Sequence, residues 1–292
     1  MIDDNLQAGQ FVTVKEGKIE PGDVVPLIDN FYGDKKLELD GEGVAFFGDS
    51  FYVVGSRGHP RRDSDDGAPG SGDRIKAKVA AASQIVRIRL REPIGNKLSM
   101  NDVLEIRRTG KLREFIAADE TLRKYMDQPL ERRADGAGNG ITIEGVAILN
   151  GRLYVGFRGP SIDSRGAPIL SVPLATLFGE GRDGAELKVV KLRDGRGVRD
   201  LVAYGKGLLV LAGPTGDEAG QYDVHWWDGH GVEMQSLGDI TEEAHAKKTS
   251  KPEGLLPLDV TSGRLRLLIL SDGDDAKDGE PREVLVKVPK QG

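Results

Sequence analysis

The chain contains no cysteine, and this absence removes several kinds of chemistry at once. Without thiols the protein can form no disulfide bond, no thiolate metal ligand and no cysteine nucleophile. Aromatic residues make up only 5% of the sequence, so the hydrophobic core has to be built mainly from Val, Leu, Ile and Ala. Disulfide-stabilised scaffolds and cysteine hydrolases are therefore excluded as classes for this protein.

Long apolar runs are also missing. No segment approaches the roughly 18–20 apolar residues of a membrane span, and residues 1–5 have neither the basic start nor the apolar stretch of a signal peptide. The net charge of −6 argues against a nucleic-acid partner, which requires concentrated Lys and Arg. We therefore expect a cytoplasmic protein that binds neither membranes nor nucleic acid, with a periplasmic location left open if a leader precedes residue 1.

One short phrase recurs four times along the chain. Each copy is followed by a second apolar run, and the 40 glycines fit the tight turns that join short strands. The copies read Gly-Glu-Gly-Val-Ala (41–45), Ile-Glu-Gly-Val-Ala (143–147), Val-Arg-Asp-Leu-Val (198–202) and Pro-Glu-Gly-Leu-Leu (252–256). A repeated pair of strands indicates a repeat architecture.

The distances between the copies are typical of propeller blades. From Glu42 to Glu144 is 102 residues, but the steps to Asp200 and then to Glu253 are 56 and 53 residues. A four-stranded blade takes roughly 40–50 residues, so the first step contains a blade and an insertion. The sequence predicts an all-β fold, a single β-propeller domain over 1–292 with about five blades, four to six being possible. The N-terminal blade is expected to be incomplete or shared with the C-terminus.

Within the copies, further apolar segments predict the outer strands of the blades. The second copy offers 168–174 and 186–192 as third and fourth strands, and the third copy offers 222–227 and 232–237. The fourth copy supplies only three strands before the sequence stops. Each full unit therefore has the four strands that a blade requires.

The segment 99–126 breaks the repeat and predicts a helical insertion. Ser99 and Asp102 are a plausible capping pair, and Leu112 and Ile116 belong to an apolar series with partial three-to-four spacing. The insertion can cover one face or edge of the propeller, or it can act as a lid over a central site. Both interpretations remain open.

The most specific part of the pattern is Ile-Glu-Gly-Val-Ala followed by Leu-Tyr-Val-Gly-Phe-Arg-Gly-Pro within 143–160. Together with the copies at 42–57, 197–214 and 253–272, it resembles the bacterial domain of unknown function family 3616. This resemblance covers nearly the whole chain and implies a β-propeller, but it implies no reaction. The Glu-Gly-Val-Ala opening is more distantly similar to phytase-like esterase and gluconolactonase-like propellers, in which carboxylates around the central channel hold a divalent metal.

Four acidic residues open the copies and are candidate metal ligands. If each copy begins with an inner strand, Glu42, Glu144, Asp200 and Glu253 approach the channel axis together. Four close carboxylates repel one another unless a cation or basic side chains compensate. Calcium suits such a set because it takes six to eight oxygen ligands. The sequence therefore predicts a Ca²⁺ site, and with it a small ligand that carries phosphate or hydroxyl groups.

Three arginines are candidate ligand-binding residues at the same place. Arg57 and Arg158 end the second strands of the first two copies, and Arg199 opens the third. They can instead be structural, if Arg57 pairs with Glu42 and Arg158 with Glu144 to join the blades. A residue type that recurs in every blade favours this structural interpretation.

Catalysis is the second hypothesis for the same residues. In a metal-dependent esterase, phosphatase or lactonase, Glu42 and Glu144 would act beside a metal-activated water. His59 follows the second strand of the first copy, so it is the candidate histidine for acid–base chemistry. A protein-interaction scaffold without chemistry is the third hypothesis.

Overall fold

The structure is a computed structural model that describes residues 2, 7–15, 18–58, 71–95, 97–130, 139–163, 166–181, 183–192, 195–216, 220–244, 251–272 and 281–290. Most of these residues lie in antiparallel strands, as the repeated alternating pattern predicts. The strands are β1 Ala8–Lys15, β2 Lys18–Pro26, β3 Phe31–Tyr32, β4 Lys35–Lys36, β5 Gly41–Phe47, β6 Ser50–Gly55, β7 Ile85–Leu90, β8 Val103–Thr109, β9 Thr142–Leu149, β10 Arg152–Gly159, β11 Gly166–Pro173, β12 Glu186–Lys191, β13 Gly197–Tyr204, β14 Gly207–Gly213, β15 Asp223–Trp227, β16 Gln235–Asp239, β17 Lys251–Thr261, β18 Arg264–Asp272 and β19 Arg282–Lys287.

Strands β5 to β19 form the blades of a β-propeller, and β1–β2 and β3–β4 form two separate two-stranded sheets. Three blades have four consecutive strands each, β5–β8, β9–β12 and β13–β16, and the fourth blade has three, β17–β19. The first strand of each blade packs against the first strand of the next, so β5, β9, β13 and β17 follow one another around the centre. The four copies of the repeated phrase are these inner strands.

The blade count corrects the prediction of about five. Four blades are present in the part of the chain that the structure describes, because β1 and β2 form a sheet separate from the blades. This two-stranded sheet lies against the first blade, where the ring centroids of Phe11 and Phe51 are 6.1 Å apart. The C-terminal blade has the three strands that the sequence predicts. Among the described residues, neither N-terminal strand extends it.

The segment 99–126 is only partly helical, which corrects the prediction of a helical insertion there. Its middle part is β8, the fourth strand of the first blade. The predicted capping pair does form, since the amide and hydroxyl of Ser99 both donate to Asp102 Oδ2 at 2.8 and 2.9 Å. However, it begins a single 3₁₀ turn, Met100–Asp102, that leads into the strand.

The helices are short and cover the blades. They are α1 Ser71–Ala82, α2 Lys111–Ala118, α3 Leu174–Phe178 and α4 Thr241–Ala244, with a further 3₁₀ turn at Leu122–Tyr125. In α2, Leu112 and Ile116 are buried in a core shared with the first two blades, where they remove apolar surface from water. This packing matches the covering role proposed for the segment. No helix within the described ranges is both long and apolar enough to cross a bilayer.

Glycines let the inner strands of neighbouring blades approach closely. A Cβ added at Gly145 would lie 2.7 Å from Val198 Cγ1 and 2.8 Å from Leu201 Cγ, both on β13. No ordinary side chain tolerates such contacts, so the glycine of the repeated phrase is a packing requirement. The close approach brings the inner strands, and the side chains they carry, to the axis.

Candidate functional site at the propeller axis

Each inner strand contains a β-bulge at the same place. In β5, for example, the pairs on either side of the bulge skip one residue, Glu42. The residues skipped in this way are Glu42 in β5, Glu144 in β9, Arg199 in β13 and Glu253 in β17. A bulge re-aims the side chain of its extra residue and is typical of functional regions. Three glutamates and one arginine therefore occupy equivalent positions at the axis.

Asp200 does not belong to this equivalent set, although it counts among the four acids that open the copies. The register places it where the other blades have the glycine of the phrase, such as Gly145. In the third copy the bulge residue is Arg199. The third blade thus contributes the opposite charge to the axis.

Arg199 connects three blades. Its Nη2 lies 2.6 Å from Glu253 Oε1 on the fourth blade, and its Nε lies 3.0 Å from Glu144 Oε2 on the second. The second contact is an ion pair without hydrogen-bond alignment, because neither atom has a hydrogen-bond partner in the described part of the chain. The Arg199 side chain is only 1% exposed. This guanidinium supplies the positive charge that close carboxylates require.

Arg158 supports Glu144 from the other side. Arg158 Nη1 donates to Glu144 Oε1 at 3.0 Å, and both side chains are buried. Its Nε and Nη2 donate to the carbonyl oxygens of Thr215 and Gly216 at 2.8 and 2.7 Å, on the loop that follows β14. The pairing of Arg158 with Glu144 that the structural interpretation predicts is confirmed. It also links the second blade to the third.

Asp200 is bound by backbone amides. Oδ1 accepts from Leu201 N and Oδ2 from Leu255 N, both at 2.7 Å, and the second bond joins β13 to β17. Burial raises the pKa of Asp200 to about 7, although the two amides act in the opposite direction, and the charge of Glu144 raises it further. Asp200 is thus a joint between the third and fourth blades.

Glu42 differs from the other acids of the cluster. It is half-buried and makes no hydrogen bond or ion pair with the residues that the structure describes. Burial raises its pKa well above the ordinary value, and the charges of Glu144, Asp40 and Glu253 raise it further, while Arg199 opposes them. Glu42 therefore tends to hold a proton and leaves its carboxyl oxygens available.

Arg57 lies apart from the axial cluster and does not pair with Glu42. Counted from the glycines that follow the bulges, Ser56 rather than Arg57 occupies the place of Arg158. The carboxylate that acts on Arg57 is that of Asp127, beyond α2. The predicted ion pair between Arg57 and Glu42 was therefore wrong. In the second strand of the first blade, Arg57 lies one residue beyond the position that Arg158 occupies in the second blade.

Sequence reasoning missed Asp40, which adds a further charge beside the bulge of the first blade. Its backbone has a left-handed φ of +53°. Its Oδ2 accepts from the hydroxyl of Ser56, and its carbonyl oxygen accepts from Ser56 N at 2.7 Å. The Asp40-Gly41 pair at the start of β5 could have indicated this residue, because Asp tolerates a left-handed backbone conformation.

Three of the four predicted calcium ligands already have partners within the protein. Glu144 and Glu253 face the guanidinium of Arg199, and both carboxylate oxygens of Asp200 accept backbone amides. Over the described ranges, no three or more His, Asp and Glu side chains are grouped so that they could hold a metal ion. His59, the candidate acid–base histidine, lies outside the described residues.

Comparison with known proteins concerns the family and the fold. A family model described as "Protein of unknown function (DUF3616)" matches residues 5–287. Among solved structures, an exo-β-1,3-galactanase from Clostridium thermocellum is similar at 12% identity with a TM-score of 0.35, covering 89% of this chain and 60% of that one. This chain thus spans less than two thirds of the galactanase structure. No curated protein matches the chain.

Proposed function

Because the chain belongs to the DUF3616 family, whose function is unknown, its activity has to be argued from the axial site, and we propose that this site binds a small ligand through Glu42. The ligand carries hydroxyl or amino groups and is not a free phosphate. Glu144, Arg158, Arg199 and Asp200 form the framework that holds the site in place.

The proposal rests on a difference among the four acids: three of them have partners within the protein, and Glu42 has none among the described residues. Glu144 and Glu253 are paired with Arg199, and Asp200 accepts two backbone amides. Glu42 occupies the same bulge position as two of them and has no such partner among the described residues. A half-buried carboxyl group without a partner is costly in the free protein, so a ligand that satisfies it gains affinity.

The charge balance selects the class of ligand. Glu42, Glu144, Asp200 and Glu253 face two arginines, Arg158 and Arg199. Because Glu42 tends to hold a proton, the two arginines face the carboxylates of Glu144 and Glu253, and these four groups leave no uncompensated positive charge to attract a phosphate group. A protonated Glu42 can both donate and accept a hydrogen bond, which is what a hydroxyl group requires. Sugars, polyols and amino alcohols are therefore the ligands that fit the site.

The test is a binding screen by isothermal titration calorimetry. Glucose, galactose, myo-inositol and ethanolamine are compared with inorganic phosphate at constant ionic strength. We expect saturable binding of at least one of the first four, and an affinity at least about tenfold lower in Glu42→Gln, equivalent to about 1.4 kcal/mol. Glu114→Gln, which changes an exposed carboxylate on α2, is the matched control and should bind as the wild type does. Equal affinity in the wild type and in Glu42→Gln would exclude this role for Glu42.

A hydrolase is the second candidate, and the raised pKa of Glu42 favours it. A carboxylic acid whose pKa is raised can act as a general acid, and two carboxyl groups in different environments are typical of acid–base pairs. Glu144, fixed by two arginines, is the second member of such a pair. Nitrophenyl esters and glycosides and simple lactones are the substrates to test, with and without a chelator. If turnover disappears in Glu42→Gln while the variant still binds a non-hydrolysable analogue, the protein is a hydrolase that uses Glu42.

A further inference from the structure

We propose a second ligand site, distinct from the axis, in which Arg57 binds a small oxyanion such as a carboxylate or phosphate group. The site is a crevice between the end of the second strand of the first blade, α1 and the segment that follows α2. Its chemistry is opposite to that of the axial cluster, because its open group is a cation.

The crevice is lined by Arg57, Val79, Asp127, Gln128 and Ile141. It contains about 200 Å³ of empty space, part of which is open to solvent, and Arg57 is the one basic residue in this lining. The crevice is too narrow for a free water molecule in its present form. An anion therefore has to displace a side chain of the lining to reach the guanidinium. Among the described residues, the Gln128 side chain has one hydrogen bond to hold it, from Nε2 to Lys124 O at 2.8 Å.

The Arg57 guanidinium is buried, and its Nε finds no hydrogen-bond partner among the described residues. The residue is 4% exposed. Burial lowers the pKa of Arg57 to about 10, with a further contribution from the positive charge of Arg113, while Asp127 acts in the opposite direction. Burying a charge without hydrogen bonds is costly, so the protein gains stability from any group that satisfies it.

The charges around the crevice are not balanced, because two arginines, Arg57 and Arg113, face the single carboxylate of Asp127. Asp127 is the carboxylate that acts on Arg57, but its Oδ1 lies 3.6 Å from Arg113 Nη2, and its side chain is 59% exposed. Two guanidinium groups therefore share one solvated carboxylate. The planar fork of an arginine matches the two oxygens of a carboxylate or phosphate group, and such charge-assisted bonds are among the strongest in proteins.

The backbone holds Arg57 in place. Arg57 and Asp127 both have left-handed φ angles, +55° and +59°, which non-glycine residues rarely adopt. The amide of Arg57 donates to the carbonyl oxygen of Ala82 at 3.0 Å, at the end of α1. This fixes the residue at the crevice, although its side chain finds no partner there. Strained backbone of this kind persists where the surrounding structure determines it, often at ligand sites.

The experiment is a titration of the whole chain with sodium phosphate and, in a separate arm, with sodium acetate, both at constant ionic strength. Thermal melting gives the stabilisation and calorimetry gives the affinity. We expect the wild type to be stabilised by at least one anion, and Arg57→Gln to lose the shift and to bind at least about tenfold more weakly. Arg123→Gln removes an exposed arginine from the same region and should behave as the wild type does. A response to phosphate alone would identify a phosphate site, and a response to acetate would identify a carboxylate site.

Two results would overturn the proposal: the absence of any response in the wild type to either anion, or an equal response in Arg57→Gln. If Arg57→Gln does not fold, Arg113→Gln replaces it, because this half-exposed residue only assists the site. That variant should then bind several-fold more weakly, and unchanged affinity would count against the proposal. Glu42→Gln should retain the full anion response, which separates this site from the axial one.

Discussion

Arg199 of the third blade and Glu253 of the fourth are joined at the propeller axis, with Nη2 and Oε1 2.6 Å apart. The two side chains are unequal in environment, since that of Arg199 is 1% exposed and that of Glu253 is 38% exposed. The buried member also contacts Glu144. A single guanidinium therefore balances two carboxylates that belong to different blades, and its loss would affect both.

Removing this guanidinium should destabilise the whole propeller. In Arg199→Met, Glu144 keeps its ion pair with Arg158, and Glu253 loses its ion pair with Arg199. Breaking a buried ion pair costs about 3–5 kcal/mol. We expect about 2–4 kcal/mol here, because Glu253 is partly solvated and Glu144 retains one arginine. Urea unfolding followed by circular dichroism measures the change.

The matched control for that experiment is Arg266→Met. Arg266 also contacts two carboxylates, those of Asp259 and Glu283, but all three groups lie at the surface of the fourth blade. Because solvent screens exposed ion pairs, we expect little change in the free energy of unfolding. Equal losses in the two variants would show that the axial pair is no stronger than a surface pair.

The stability of the protein should fall as the pH rises from about 4 to about 7. Asp200 has a pKa of about 7 in the folded protein, against an ordinary value of 3.8. Between these values the folded state holds a proton that the unfolded state has lost, so each rise in pH favours unfolding, and above about 7 the effect is complete. The raised pKa of Glu42 acts in the same direction. The shift of the Asp200 pKa can lower the free energy of unfolding by at most about 4 kcal/mol over this pH range.

Asp200→Asn should flatten this pH dependence, and urea unfolding at pH 4.5, 6 and 8 measures it. Asp239→Asn is the control. The pKa of Asp239 is lowered, chiefly by hydrogen bonds from Thr241. Its titration therefore changes the free energy of unfolding only at pH values below about 4. If wild type and Asp200→Asn show the same slope between pH 4.5 and 8, Asp200 is ionised throughout that range.

The contact between the second and third blades should not tolerate one extra methyl group. In Gly145→Ala the new Cβ meets Val198 and Leu201 at 2.7 and 2.8 Å, so β9 and β13 must separate. Overpacking of this kind costs about 1–3 kcal/mol. Gly110→Ala, where nothing lies within 4 Å of the new Cβ, should change the melting temperature very little. Equal melting temperatures for the two variants would contradict the tight packing of the inner strands.

Calcium should not stabilise the wild-type protein appreciably. Of the four predicted ligands, Glu144, Glu253 and Asp200 have oxygens that contact Arg199 or accept backbone amides, which leaves Glu42 as the open carboxyl group. We expect millimolar Ca²⁺ to shift the melting temperature no more than the same ionic strength of NaCl does. A saturable rise that is specific to Ca²⁺ and absent in Glu144→Gln would reverse this conclusion in favour of the predicted metal site.

The sequence predicted the repeating part of the fold well. The recurring phrase marks the four inner strands, and the segments 168–174 and 186–192 became β11 and β12. β8 was mistaken for helix because it lies between the capping pair Ser99 and Asp102 and the apolar series that contains Leu112 and Ile116. Both signals are local to their own short turns and helices, and the prediction extended them across the strand.

The sequence predicted which charged residues lie at the axis, but it did not predict all of the ion pairs and hydrogen bonds that they form. Arg199 and Glu144 are 55 positions apart and meet only because β9 and β13 are adjacent inner strands. Spacing along the chain gives the period of the blades, but it does not say which charge at the axis bonds to which. The acid next to Arg199 in the sequence, Asp200, turned out to bind backbone amides instead.

The bulges of the inner strands separate the chemistry of the axis from the construction of the blades. The side chain of a bulge residue is released from the strict alternation that assigns its neighbours to one face or the other. Glutamate in the first, second and fourth blades and arginine in the third already show that this position accepts either charge. The propeller thus offers four exchangeable positions around one axis, at which new recognition can evolve, or be designed, while the strand register that supports it is kept.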